Sequence, residues 1–101
     1  MLSPLKLVVA LCAISATAIE FTCYKKTYHK GPVTGVYSLN NRWQNARDCT
    51  SAKWNSNTNN RNCVWIRGSK GQKSWSARSK DPPVDIYKDV GWNSQVREAP
   101  C

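Results

Sequence analysis

Cys23, Cys49, Cys63 and Cys101 constrain this chain more than any other feature. An even number of cysteines in a short chain with a secretory leader implies disulfides, here two, with three possible connectivities. The leader is residues 1–18. Lys6 precedes the apolar core Leu7–Ile14, and Ala16-Thr17-Ala18 supplies the small-x-small pattern of a signal-peptidase site. That core is shorter than the roughly 20 residues a membrane-spanning helix requires. Cleavage after Ala18 removes Cys12 and leaves one secreted domain, 19–101. A metal site is the weaker reading of the cysteines, because no CxxC spacing exists and His29 is the lone histidine. A domain this small buries limited apolar surface, and each staple contributes about 3–4 kcal/mol in the loop-entropy account.

Short strands follow from the hydrophobic pattern. Ile19, Phe21 and Cys23 alternate with polar neighbours, His29–Pro32 reads as a turn, and Val33, Tyr37 and Leu39 share one face of a second strand, with Gly35 as a bulge or a close approach. The central segment is Cys63-Val-Trp-Ile66, a turn over Gly68–Gly71, and the alternating run Ser74–Arg78, a β-hairpin signature. Asp81-Pro-Pro83 breaks the chain. Val84, Ile86 and Val90 then read as a strand with Lys88 as the exception, followed by a turn at Gly91-Trp92 and a short strand over Ser94–Arg97. Residues 40–54 fit either short strands or one short helix near 41–53, and strands are preferred because the asparagines, Thr50 and Ser51 are indifferent helix formers. Residues 55–62 form an Asn-rich loop without an N-x-[ST] sequon. The expected fold is all-β, a small disulfide-stapled six-stranded sandwich, with an α+β arrangement carrying the helix near 41–53 as the alternative.

The formal net charge is +9 and unevenly placed: positions 25–80 carry twelve Lys and Arg and one acid, Asp48, whereas the tail holds Asp81, Asp85, Asp89 and Glu98. Such a body suits an anionic partner, whether nucleic acid, cell wall, membrane headgroups or an acidic protein patch. General acid–base chemistry needs two positioned titratable groups. A ribonuclease would have to be assembled from His29, a carboxylate and an arginine with no linking motif, and no GxSxG, HExxH or phosphate-binding Gly-rich loop is present. The expectation is therefore a protein that is not an enzyme and needs no cofactor. Five tryptophans, several beside basic residues, point instead to a basic and aromatic binding face drawn from Arg42, Trp43, Arg47, Lys53, Trp54, Arg67, Lys70 and Lys73. Trp65 and Trp75 are expected inside, and Trp43 or Trp54 partly outside.

Phe21-Thr22-Cys23 at the start of the mature chain, and Arg61-Asn-Cys63-Val-Trp-Ile-Arg67 followed by Gly-Ser-Lys-Gly-Gln72, resemble the MAX group of fungal effectors, the Magnaporthe avirulence and ToxB-like proteins. These are six-stranded sandwiches that bond the first-strand cysteine to one about forty residues on, the separation of Cys23 and Cys63. The resemblance implies Cys23–Cys63, with Cys49–Cys101 as the second bridge. Phe21-Thr22-Cys23 is also similar to the [YFW]xC motif of RNase-like mildew effectors, which lack ribonuclease catalytic residues. That resemblance implies Cys23–Cys101 and a helix where Arg42–Arg47 stands. Either implies a secreted virulence protein of a fungal plant pathogen, extracellular or translocated into host cells, that binds a host protein. Nothing after the leader is apolar enough to span a bilayer, so no membrane insertion is expected, and the chain is expected to be a monomer. The alternatives are a cationic toxin or antimicrobial protein, and an RNA-binding inactive RNase-like protein.

Overall fold

The computed structural model describes residues 19–55 and 60–101, so the leader reading lies outside the described residues. Two antiparallel sheets carry the chain. The first has the order β2-β1-β4, formed by β1 (Glu20–Tyr24), β2 (Val33–Ser38) and β4 (Ser51–Trp54). The second has the order β3-β7-β5-β6, formed by β3 (Gln44–Asn45), β5 (Cys63–Gly68), β6 (Gly71–Ser76) and β7 (Gln95–Ala99). Seven strands thus stand among the described residues where six were expected, and the preferred short strands within 40–54 are β3 and β4.

Strand alternation decides what each sheet turns inward. Phe21 and Cys23 on β1, Ala52 on β4, Val64 and Ile66 on β5 and Val96 on β7 are buried in one cluster between the sheets. Trp54 stacks on Phe21 with centroids 5.8 Å apart, and its edge meets Trp75 at 6.5 Å. Both expected hairpins form. β1 pairs with β2 through Phe21↔Tyr37, with a register shift at Cys23/Tyr24, and Gly35 is a close approach: a Cβ there would stand 2.6 Å from the Tyr37 hydroxyl. β5 and β6 pair from Cys63↔Ser76 to Gly68↔Gly71, with Ser69 and Lys70 as the turn.

Three expectations are corrected. The segment 84–90 is not a strand: Ile86–Val90 is a short helix, α1. Ile86 and Val90 fall on one face at a spacing of four in a helix just as they do in a strand, and Lys88 is the residue that breaks the strand reading. Asp85, just beyond the two prolines, caps the helix by accepting from Lys88 N at 3.1 Å. No helix forms near 41–53, since Gln44–Asn45 pairs with β7 and Ser51–Trp54 with β1.

The second correction concerns the disulfides, which are Cys23–Cys49 and Cys63–Cys101, each with Cα atoms 5.0 Å apart. The four cysteines of the described residues are all bridged, but by neither of the pairings that the two resemblances imply. Cys23 points into the core from β1, whereas Cys63 shares the outward row of β5 with Trp65 and Arg67, opposite to Val64 and Ile66. The second sheet itself separates the two sulfurs, so Cys23 bonds the β3–β4 loop and Cys63 bonds the chain end.

The third concerns the tryptophans. Trp65 lies on the side of its sheet away from the core, half-buried, donating Nε1–H to Pro100 O at 3.0 Å. Trp75 is packed against the core as expected.

Candidate binding face

The outward rows of the second sheet are Cys63, Trp65 and Arg67 on β5, Gln95, Arg97 and Ala99 on β7, and Gln72, Ser74 and Ser76 on β6, with Asn45 on β3. None of these is acidic. Trp43, the residue before β3, lays its indole beside this face, and two guanidinium groups lie against the ring: Arg67 Cζ is 4.2 Å and Arg97 Cζ 4.7 Å from its centroid. Arg67 is held further by Nε–H donating to Gln95 Oε1 at 2.7 Å, and Gln95 Nε2 in turn donates to Asn45 Oδ1 at 2.9 Å. Arg97 reaches Asn41 O through Nη1 at 3.5 Å, while its Nε is buried without a protein partner. The result is a pair of guanidinium groups on one indole, oriented by a relay of side-chain amides.

The acids are elsewhere. Asp85 caps α1, Asp89 meets Lys73 Nζ at 3.5 Å, and Glu98, on the opposite row of β7, accepts from Asn60 Nδ2 at 3.1 Å and Asn62 Nδ2 at 2.9 Å. Lys73–Asp89 is the one salt bridge among the described residues, so neither arginine on Trp43 has a carboxylate partner there.

Of the eight residues expected to form a binding face, Trp43 and Arg67 meet here, with exposed Arg42 next to Trp43 in sequence. The other five are dispersed. Lys53 stands on the outer face of the first sheet, its Nζ 6.0 Å from the Tyr24 ring centroid. Trp54 is packed against the core. Lys70 is at the β5–β6 turn, and its backbone N–H donates to Val90 O at 2.8 Å. Lys73 is engaged with Asp89. Arg47 lines a separate groove with Asp48, Tyr87 and Trp92. Sequence reasoning missed Arg97 by counting it with the acidic tail. Its signal was the alternation Gln95-Val96-Arg97-Glu98, which puts Arg97 opposite Val96.

His29 stands apart from the arginine pair: its Nε2 is 3.2 Å from Pro83 O, and its ring meets Tyr24 edge-on at 5.8 Å. No group of three His, Cys, Asp or Glu suited to a metal occurs among the described residues, and no helix among them is long and apolar enough to cross a membrane. The two disulfides are compatible with an extracellular protein. Comparison with family models, with curated proteins and with solved structures finds no match to this chain.

Proposed function

We propose that the protein is a secreted effector that acts by binding, and that the outward face of the second sheet takes an acidic patch of a partner protein. The observation that carries this reading is the pair Arg67 and Arg97 on the Trp43 indole, uncompensated by any carboxylate on that face. Guanidinium forks match carboxylates in geometry, and holding them in place in advance reduces the entropy lost on binding. An acidic protein patch fits better than single-stranded RNA, because base stacking needs a free aromatic face and two guanidinium groups already lie on this ring. The edge strand β6 borders the face and offers backbone groups for strand addition. The leader pattern and the disulfides support secretion, and the resemblance to fungal effectors makes a plant host protein the partner class.

The test is binding of the full mature chain to poly-L-glutamate, to single-stranded RNA and to anionic vesicles, between about 50 and about 200 mM salt. Polyglutamate binding that weakens with salt and is lost in the double variant Arg67→Glu/Arg97→Glu supports the reading. Vesicle leakage insensitive to that variant makes the protein a membrane-active toxin and overturns it. A clear preference for RNA over polyglutamate overturns the choice of partner.

A further inference from the structure

The geometry points to a second site, distinct from the arginine pair: the groove between the β3–β4 loop and the α1–β7 loop is a binding site for a neutral β-1,4-linked oligosaccharide, with Trp92 as its platform. The groove encloses about 660 Å³ and is lined by Asn45–Cys49 on one wall and by Tyr87 with Trp92–Ser94 on the other. That volume falls within the roughly 300–1,000 Å³ typical of small-molecule sites.

Trp92 is the most conspicuous side chain there. It is 63% exposed, although the core of this small domain uses Trp54 and Trp75 as partly buried packing residues. Its ring lies 4.5 Å from that of Tyr87 at an interplanar angle of 38°, so Tyr87 packs against one face of the indole and backs it in the groove. Pyranose rings with equatorial substituents present flat C–H faces, and these stack on an exposed indole while the ring hydroxyls stay free to hydrogen-bond at the edges.

Planar polar groups stand beside the indole. Arg47, Asp48 and Asn93 supply guanidinium, carboxylate and amide edges, each able to engage adjacent hydroxyls in pairs, whereas the Asn45 side chain is engaged by Gln95. Arg47 and Asp48 bring opposite charges to one wall, which matches a neutral ligand, in contrast to the uncompensated arginines of the sheet face. Asp48 and Asn93, one on each wall, both adopt left-handed backbone conformations, with φ of 52° and 55°.

The walls are fixed to each other and to the scaffold. Ala46 N donates to Ser94 O at 2.9 Å, and Ser94 Oγ returns a bond to Ala46 O at 3.1 Å. Trp92 N donates to Ser69 Oγ at 2.9 Å while Ser69 N donates to Trp92 O at 3.0 Å, and Cys49 is tied to Cys23. The backbone that carries the indole is therefore fixed, with Tyr87 packed against the ring, before any ligand arrives, which lowers the ordering cost of binding.

The test is a titration of the ¹⁵N-labelled mature protein with cellohexaose and with chitohexaose, following the five indole N–H signals. One of the two sugars should shift the Trp92 signal saturably with a dissociation constant of about 1 mM or tighter. Trp92→Ala should weaken binding by at least about tenfold with the other four indole signals in place, and Arg47→Ala by a smaller factor. The Arg67→Glu/Arg97→Glu variant should bind the sugar like the parent. An unmoved Trp92 signal with both sugars overturns the proposal, as does a sugar response at Trp43 or one abolished by the Arg67/Arg97 changes.

Discussion

Gly68 lies directly beneath the carbonyl of Val90: a Cβ at position 68 would stand 2.6 Å from Val90 O and 2.9 Å from Trp92 O. The end of α1 and the chain that follows it thus rest on the backbone of the β5–β6 turn, an approach that no side chain at 68 permits. Lys70 N and Ser69 N complete the contact by donating to the same two carbonyls, Val90 O at 2.8 Å and Trp92 O at 3.0 Å. Gly68→Ala is expected to destabilise the protein by about 1–3 kcal/mol, the range of an overpacked site. Urea unfolding monitored by tryptophan fluorescence measures it, and an unchanged midpoint would show that the α1–β7 segment yields freely.

Asp85 is the cap that makes α1 possible. Asp85→Ala removes the acceptor for Lys88 N and should cost about 0.5–2 kcal/mol, whereas Asp85→Asn or Asp85→Ser should retain most of the stability. Thermal unfolding of the three variants separates capping from simple loss of charge. Equal losses in all three would argue that charge is what matters at this position.

The disulfide pairing predicts its own peptide map. Digestion of the non-reduced mature protein should release one peptide pair joining Cys23 to Cys49 and another joining Cys63 to Cys101. The two bridges should also differ in consequence. Cys23 and Cys49 are both part of the buried core, so Cys23→Ser/Cys49→Ser removes a staple of about 3 kcal/mol and also places hydroxyls in the core. Cys63→Ser/Cys101→Ser frees an exposed chain end and should be the milder change in denaturant. The opposite order would mean that the Pro100 carbonyl on Trp65 Nε1 anchors more of the fold than the core bridge does.

The Trp43 ring and its two arginines should couple energetically. A double-mutant cycle of Trp43→Ala with Arg67→Ala is expected to give an interaction energy of about 0.5–2 kcal/mol in stability. Lys73→Ala, which removes an ion pair with exposed Lys73, should change stability by less than about 1 kcal/mol. If the cycle closes to zero, the arginines rest on the indole without being held by it.

Much of the architecture was readable from local pattern. Alternation marked β1, β2, β5 and β6, and glycines at 68 and 71 marked the central turn. Four cysteines beyond the leader pattern announced two bridges. These features depend on neighbours in sequence, through strand periodicity and turn geometry, and so they survive without knowledge of the rest of the fold. The helix α1 escaped because Ile86 and Val90 satisfy both periods, and only the Asp85 cap and the docking of the following loop on Gly68 select one.

The candidate site was less legible. Trp43 and Arg67 were among the expected residues, yet nothing in sequence places Arg97 on the same indole, 54 positions beyond Trp43. Nor does sequence bring Arg47 and Trp92 to one groove, since that requires β3 to pair with β7. What the amino-acid sequence determined by itself was a basic, disulfide-bonded, strand-rich chain with apolar residues at alternating positions. What only the tertiary structure decided was which cysteines meet, which face of the second sheet stays open, and which charges are left unpaired. Each of those depends on contacts between segments far apart in the chain, and alternation says which residues share a face without saying what covers it.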